Sequence, residues 1–316
     1  MKEGRGWIAL IVFLSIWLAG CAPTVRREES TPFFDGTDEM GGRVVLAKKP
    51  ERIVSMNLST DELMLDLVEP ERIAALSWWA TEEGLSCVIE KANPFPVVHS
   101  RSPEAVLEKK PDLVLTTDGT EPEVIDALRE MGIPVFVSKN PTRIAEIFPR
   151  IEHLGAVLGA EKEAAALSER LHTRLDCVRS RVAGIPDESR PVVIAFAFSK
   201  PFGRKGMLFD DMCNEAGFKN GVALIMEDTG RYPVSKEQVV ALNPDVFLMP
   251  VWSADHQDAE AYKKNLLGDP AYREVKAVKN GRLLTVEDRY RYSSSQYIVE
   301  AVEKLAEAVY PEQFQN

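Results

Sequence analysis

Ser102-Pro103-Glu104-Ala105-Val106-Leu107-Glu108-Lys109-Lys110-Pro111-Asp112-Leu113-Val114-Leu115 is written a second time, in altered letters, as Ser235-Lys236-Glu237-Gln238-Val239-Val240-Ala241-Leu242-Asn243-Pro244-Asp245-Val246-Phe247-Leu248. In each stretch a serine able to cap a helix precedes a glutamate by two residues, and seven residues after that glutamate a Pro-Asp pair opens an apolar strand. The unit is helix, turn, strand, twice. A period this long signals two similar lobes rather than a solenoid of short repeats. Two lobes imply a cleft between them.

Around the first copy, short apolar runs alternate with helical patterns over 52–56, 60–67, 73–76, 103–109, 113–116, 121–131 and 135–137. This alternation predicts an α/β lobe with a mostly parallel sheet over residues 43–158. Ser59 or Thr60 is expected to cap its first helix, with Asp61 and Glu62 in the first turn complementing the dipole. Ala160, Ala164, Leu167, Leu171, Leu175, Val178 and Val182 share one face of a helix that Gly184 and Pro186 end. At about 1.5 Å per residue, residues 160–183 span roughly 36 Å, so the segment 159–184 reads as a strut between lobes. Pro149 is expected to begin the helix before it. The second lobe, 185–316, opens with the buried-strand pattern 191–197 and repeats the order of elements. Each lobe is long enough to bury a core of its own.

The ends carry addresses rather than fold. Residues 1–20 hold Lys2 and Arg5, an apolar run over 7–17 broken only by Ser15, and then Leu18-Ala19-Gly20 before Cys21. The run is short for a membrane span of about 20 residues, and small residues ahead of a cysteine suit processing. It resembles a lipoprotein signal peptide, which implies that Cys21 takes the lipid and becomes the N-terminus. Residues 21–42 mix charge, Pro and Gly without periodicity and read as a tether. The expected location is exported, lipid-anchored to the cell envelope, in the periplasm or on the outer face of the cytoplasmic membrane. Loss of Lys2, Arg5 and Glu3 with residues 1–20 takes the net charge from −11 to −12, which argues against a nucleic-acid partner. Cys87, Cys177 and Cys213 form no Cys-x-x-Cys pair and are expected to be buried and unpaired.

Gly42-Arg43-Val44-Val45, then Lys49-Pro50-Glu51-Arg52-Ile53-Val54-Ser55 and Thr60-Asp61-Glu62, form a distinctive opening. With Pro70-Glu71-Arg72-Ile73, the two Ser-x-Glu…Pro-Asp units, Leu154-Gly155…Leu158-Gly159, Ala216-Gly217…Asn220 and Gly281-Arg282 in order, the chain from about residue 42 to 310 resembles the substrate-binding proteins of ABC importers for iron chelates, haem and cobalamin. The resemblance implies two α/β lobes with mostly parallel sheets joined by a single long α-helix, a ligand cleft between the lobes, and modest closure. It also implies a monomer with no cofactor, partnered by permease subunits and touching the membrane through its lipid alone. Members of this family dock on the permease through one acidic residue on each lobe, and the matching positions are Glu104 and Glu237. The plainer alternative is that each carboxylate complements a helix dipole; finding both at equivalent places favours docking.

Ligands of parallel α/β lobes sit beyond the carboxyl ends of the strands. The candidates are therefore Asn57, Trp78, Trp79, His99, Thr117 and Asp118 in the first lobe, and Phe198, Lys200, Arg204, Arg231, Tyr232, Trp252, Arg289, Tyr290 and Arg291 in the second. Flat aromatics suit a large ring or a catecholate, and Arg and Lys suit its anionic edges. In an extended chain Trp78 and Trp79 point opposite ways, so one of them is core. The four arginines either line the cleft or are solvated surface charges. His99, placed like Tyr232 five residues before its lobe's glutamate, is a candidate axial ligand to iron or cobalt. A ferric siderophore-type chelate is the expected ligand, held by Lys200, Arg204, Arg231 and Arg289; a corrinoid such as cobalamin, held by aromatic walls, is the alternative, and haem a third. No enzymatic activity is expected: the chain has no G-x-S-x-G, no H-E-x-x-H and no Gly-rich phosphate loop, as an enzyme such as an exported hydrolase would offer. Four scattered histidines make a poor site for bare Zn or Mn, which the lipoproteins for those metals would require.

Overall fold

The computed structural model describes residues 31–99 and 102–315; the expected signal segment and Cys21 lie outside the described residues. The fold begins ahead of residue 43, so the expected tether is too long. β1 (Phe34–Thr37) pairs antiparallel with β2 (Arg43–Leu46), Phe34 opposite Leu46. Asp38 makes the turn, its Oδ1 accepting from the N–H of Met40 at 2.9 Å and of Gly42 at 2.6 Å, while Gly41 takes a φ of 86°. The Gly-Gly pair is a hairpin turn rather than a flexible spacer.

The first lobe's sheet comprises β3 (Ile53–Ser55), β4 (Ile73–Ser77), β5 (Val97–Val98), β6 (Leu113–Thr117) and β7 (Val135–Ser138), all parallel, in the order β5-β4-β3-β6-β7. The second lobe's comprises β8 (Val192–Ala197), β9 (Lys200–Phe202), β10 (Lys219–Asn220), β11 (Val246–Met249) and β12 (Leu283–Thr285). Its parallel order is β10-β8-β11-β12, with β9 folded antiparallel against β8. Each copy of the repeat therefore supplies the strand beside the lobe's opening strand. The Pro-Asp pair is what fastens it there. The Asp112 carboxylate accepts from the N–H of Glu51 at 2.9 Å and of Arg52 at 2.8 Å, and Asp112 N–H donates to Arg52 O at 2.9 Å. Asp245 repeats the device on β8, accepting from Val192 N–H and donating to Val192 O, both at 2.9 Å.

Both faces of each sheet are covered, which is why the strands read as unbroken apolar runs. Alternate residues divide between two cores. Leu113 and Leu115 of β6 and Val246 and Leu248 of β11 face one large core shared by both lobes, while Val114, Phe247 and Met249 face smaller cores belonging to one lobe each. The strut helix, Glu161–Val182, lies in the shared core with Leu167, Leu171, Leu175, Val178 and Val182 buried, and spans about 33 Å. Thus each lobe has its own core, as its length suggested, and the inner faces are also welded together through the strut. The helix before it, Ile147–Leu158, holds Pro149 in its first turn, where a missing N–H costs no hydrogen bond. The three cysteines are free thiols; Cys213 is buried and Cys87 half-buried, whereas Cys177 is exposed on the strut, contrary to expectation.

Candidate ligand cleft

A cavity of about 430 Å3 lies beyond the carboxyl ends of the strands, between the lobes. The first lobe lines it with Asn57, Leu58, Ser59, Trp79, Leu85, Thr117, Gly119 and Asn140, and the second with Trp252 and Ser294. A second cavity of about 330 Å3 is walled by the second lobe alone, with Phe202, Met207, Leu208, Phe209, Met212, Tyr232, Tyr292 and Ser293 beside Arg204 and Arg291.

Asn57 follows β3 and stands at the N-cap of the helix Leu58–Leu67, the position expected for Ser59 or Thr60. Its side chain does not cap that helix. Instead Oδ1 accepts from Thr116 Oγ1 at 2.7 Å and Thr117 N–H at 3.1 Å, which fastens the loop after β6 to the loop after β3 and fixes Asn57 in the cavity wall. Trp78 and Trp79 follow β4 on a short 3-10 helix, Trp78–Thr81, so they do not diverge as an extended pair would. Their rings lie 3.7 Å apart at 30°, with Trp79 on the cavity and Trp78 stacked against it.

Trp252 reaches the cavity from the loop after β11. Its indole Nε1 donates to Glu82 Oε1 of the first lobe at 3.3 Å. Opposite it stands Gly84, with a φ of 82°; a Cβ there would lie 2.6 Å from Trp252 Cδ1, so only glycine admits the ring. Neither Glu82 nor Gly84 was foreseen, and neither were Asn140 or Ser294, whereas Ser59 lies in the expected loop after β3. Asn140 was within reach of the strand-end rule, since it follows β7 by two residues. Ser294 was not, for it enters through a turn that only the packing of the lobes brings to the cleft.

The cationic set expected around an anionic chelate does not converge. Arg289 is bonded to Glu287 and leans toward the Tyr290 ring, and Tyr290 donates to Glu300 at 3.0 Å on a different face. Arg231 is exposed, and Lys200 stands 5.5 Å over the Tyr232 ring. Arg291, far from being a solvated charge, is 1% exposed and paired at 2.8 Å with Asp288, itself fully buried. Only Arg204 and Arg291 among these cations line either cavity. Phe198 packs edge-on against Tyr262 at 5.3 Å, Asp118 accepts from Asn140 N–H at 2.9 Å and faces away from the cavity, and His99 is exposed at the end of β5. Among the described residues no group of three or more His, Cys, Asp and Glu side chains is arranged to hold a metal ion.

Below the cavity the lobes are laced together. Arg150, buried on the helix Ile147–Leu158, donates at 2.9 Å both to Ser59 Oγ of the first lobe and to Ser294 O of the second. Burial pushes its pKa down to about 10. Asp61 and Glu62, expected in the first turn of the helix, are in that helix and are buried. Asp61 accepts from Ser77 N–H at 3.0 Å, and Glu62 from Cys87 N–H at 3.0 Å and from Ser295 Oγ across the cleft floor. Burial raises both pKa values, to about 8 for Asp61 and about 7 for Glu62. Gln296 adds bonds to Glu62 O at 2.7 Å and Asp66 at 2.9 Å. Such a floor permits little rotation of one lobe on the other.

Glu104 and Glu237 are both exposed in the first turn of a helix, on Pro103–Leu107 and Lys236–Leu242, and each helix is capped by the serine two residues earlier. The two carboxylates therefore occupy equivalent places on the two lobes.

A family model for periplasmic binding proteins matches residues 53–290. The chain belongs to this family. Membership makes it an exported substrate-binding protein of an ABC importer, not an enzyme. It is similar over its whole length to an ABC transporter substrate-binding lipoprotein of Bacillus subtilis, YvrC, at 27% identity and 100% of both chains. A cobalamin-binding protein of Halobacterium salinarum is 26% identical over 98% of this chain and 85% of its own. In fold it is like the periplasmic haem-binding protein RhuT from Roseiflexus sp. RS-1, with a TM-score of 0.71, 22% identity, and coverage of 83% of this chain and 99% of that one.

Proposed function

We propose that this periplasmic binding protein captures a corrinoid of the cobalamin type between its lobes and delivers it to the permease subunits of an ABC importer. The observation that carries the ligand is the composition of the cavity walls. Trp79 backed by Trp78, Trp252, Tyr232, Tyr292 and Phe202 offer flat apolar surface, while Asn57, Ser59, Thr117, Asn140 and Ser294 offer neutral hydrogen-bonding groups. A large ring fringed with amides needs both. A strongly anionic ferric chelate needs several converging cations, and here there are two, one of them already paired with Asp288. The cobalamin-binding relative from Halobacterium salinarum supports the same choice. Lipid attachment at Cys21 after removal of residues 1–20 keeps the protein near its permease, and Glu104 and Glu237 are the carboxylates that meet basic residues there.

The test is titration of the protein with cyanocobalamin, haemin, ferric citrate and catecholate and hydroxamate ferric siderophores, followed by intrinsic Trp fluorescence. Cyanocobalamin is expected to quench at the lowest concentration. Tighter quenching by a ferric siderophore would transfer the proposal to the second reading, a ferric chelate anchored on Arg204.

A further inference from the structure

We infer that Asp288 is a positioning residue which, through its buried pair with Arg291, sets the aromatic wall on the second lobe's side of the cleft; this rests on the cleft being the ligand site. The two charged ends meet at 2.8 Å with both side chains out of water. The other oxygen of Asp288 accepts from the backbone N–H of Val251 at 2.8 Å and of Trp252 at 2.6 Å. Those two bonds hold the loop after β11 in the one path that stands the Trp252 indole against Gly84 and Glu82. Arg291 reaches the other way. It donates to the carbonyls of Phe196 and Met249, near the ends of β8 and β11, and its guanidinium lies 5.7 Å from the Phe202 ring and 5.9 Å from the Tyr292 ring.

One ion pair thus ties the ends of the two central strands to the loop carrying Trp252 and to the rings that wall the second cavity. A buried pair adds little stability over an apolar replacement of the same volume. What it does supply is direction: charge-assisted bonds are short and oriented, and a carboxylate shared by two consecutive N–H groups leaves their loop little freedom. Its location, under the carboxyl ends of the strands where the ligand sits, is where fixed direction has a use.

The experiment uses the full chain and two readouts, acrylamide quenching of the fluorescence component that Trp252→Phe removes, and affinity for cyanocobalamin. Asp288→Ala is expected to open Trp252 to the quencher and to weaken cyanocobalamin about tenfold, the loss typical of buried hydrogen bonds left unmade. Asp288→Asn, which keeps a carbonyl oxygen for the two N–H groups but loses the charge that pairs with Arg291, should recover only part of both. Should the alanine variant fail to fold, Asp288→Leu with Arg291→Met removes both charges together, leaves no unpaired ion, and is expected to give the same two changes. Folded variants in which Trp252 stays as protected as in the parent, or becomes mobile with no loss of affinity, overturn the inference. A parent protein that binds no cyanocobalamin removes the corrinoid reading, while the quenching of Trp252 still decides whether Asp288 holds the loop.

Discussion

Replacing Glu62 with glutamine is expected to stabilise the protein at pH 8 and to leave it nearly unchanged near pH 4. Glu62 is buried under the cleft, and burial favours its neutral form strongly enough to lift its pKa from 4.5 to about 7. A carboxyl raised in this way contributes stability that is complete below its unfolded value and is lost as pH rises through its folded value. Over that window, from 4.5 to about 7, the loss amounts to about 3 kcal/mol. Glutamine carries no charge at any pH and can imitate the protonated acid, its oxygen accepting from Cys87 N–H and its amide donating to Ser295 Oγ. The difference in unfolding midpoint between variant and parent should therefore grow from near zero at pH 4 to an increase on the order of 5 °C or more at pH 8. Asp61 titrates in the same direction, with a pKa raised to about 8 chiefly by burial and in part by the Glu62 charge, so removing that charge also eases Asp61 ionisation and the difference between the two curves reports Glu62 together with its coupling to Asp61. Calorimetry at fixed ionic strength across pH 4–8 is the assay, and the core shared by both lobes leads us to expect one transition. A difference that stays flat from pH 5 to 8 would refute the reasoning, because it would mean that Glu62 is ionised at no cost where it lies.

Gly84→Ala places a methyl where Trp252 Cδ1 would lie 2.6 Å away and forces a side chain onto a φ of 82°; cyanocobalamin affinity is expected to fall about tenfold, and an unchanged titration would show that Trp252 does not wall the ligand. Charge reversal at Glu104 and Glu237 together should abolish uptake in cells while ligand affinity in solution stays the same, and surviving uptake would reduce both residues to helix-start carboxylates. Asp112→Ala removes the acceptor for the two N–H groups just ahead of β3, and Asp245→Ala for that of Val192 in β8. Urea unfolding should report a loss of about 0.5–1.5 kcal/mol for each, since the N–H groups released at Glu51 and Arg52 are exposed and the one at Val192 is only partly buried.

Much of this was legible in the letters. The repeat located one strand in each lobe, β6 and β11, because a helix cap, a Pro-Asp turn and an apolar run are local signals; that this strand lies beside the opening strand depends on bonds from Asp112 and Asp245 to partners 53 to 61 positions away. The strut was legible because its seven apolar positions follow the helical period. The hairpin at 34–46 was missed because Gly and charge signal a spacer and a tight turn in the same letters, and only pairing with β2 distinguishes them. Trp78 and Trp79 were misread because their divergence assumes an extended chain, and the strand ends one residue before them.

The sequence by itself determined two α/β lobes, a rigid link, the loops in which a ligand can lie, and the paired glutamates at equivalent helix starts. Each of these follows from local periodicity or local caps. The tertiary structure decided which charges face the cleft. Arg289 turns to Glu287, Arg291 is drawn inward by Asp288 and by carbonyls from two other strands, and Glu62 meets a serine 233 residues away. The direction of a long charged side chain is set by whichever partner relieves its desolvation; here those partners run from Glu287 and Asp288, close in the chain, through carbonyls of β8 and β11 in the same lobe, to Ser295, which only the packing of one lobe on the other brings to Glu62.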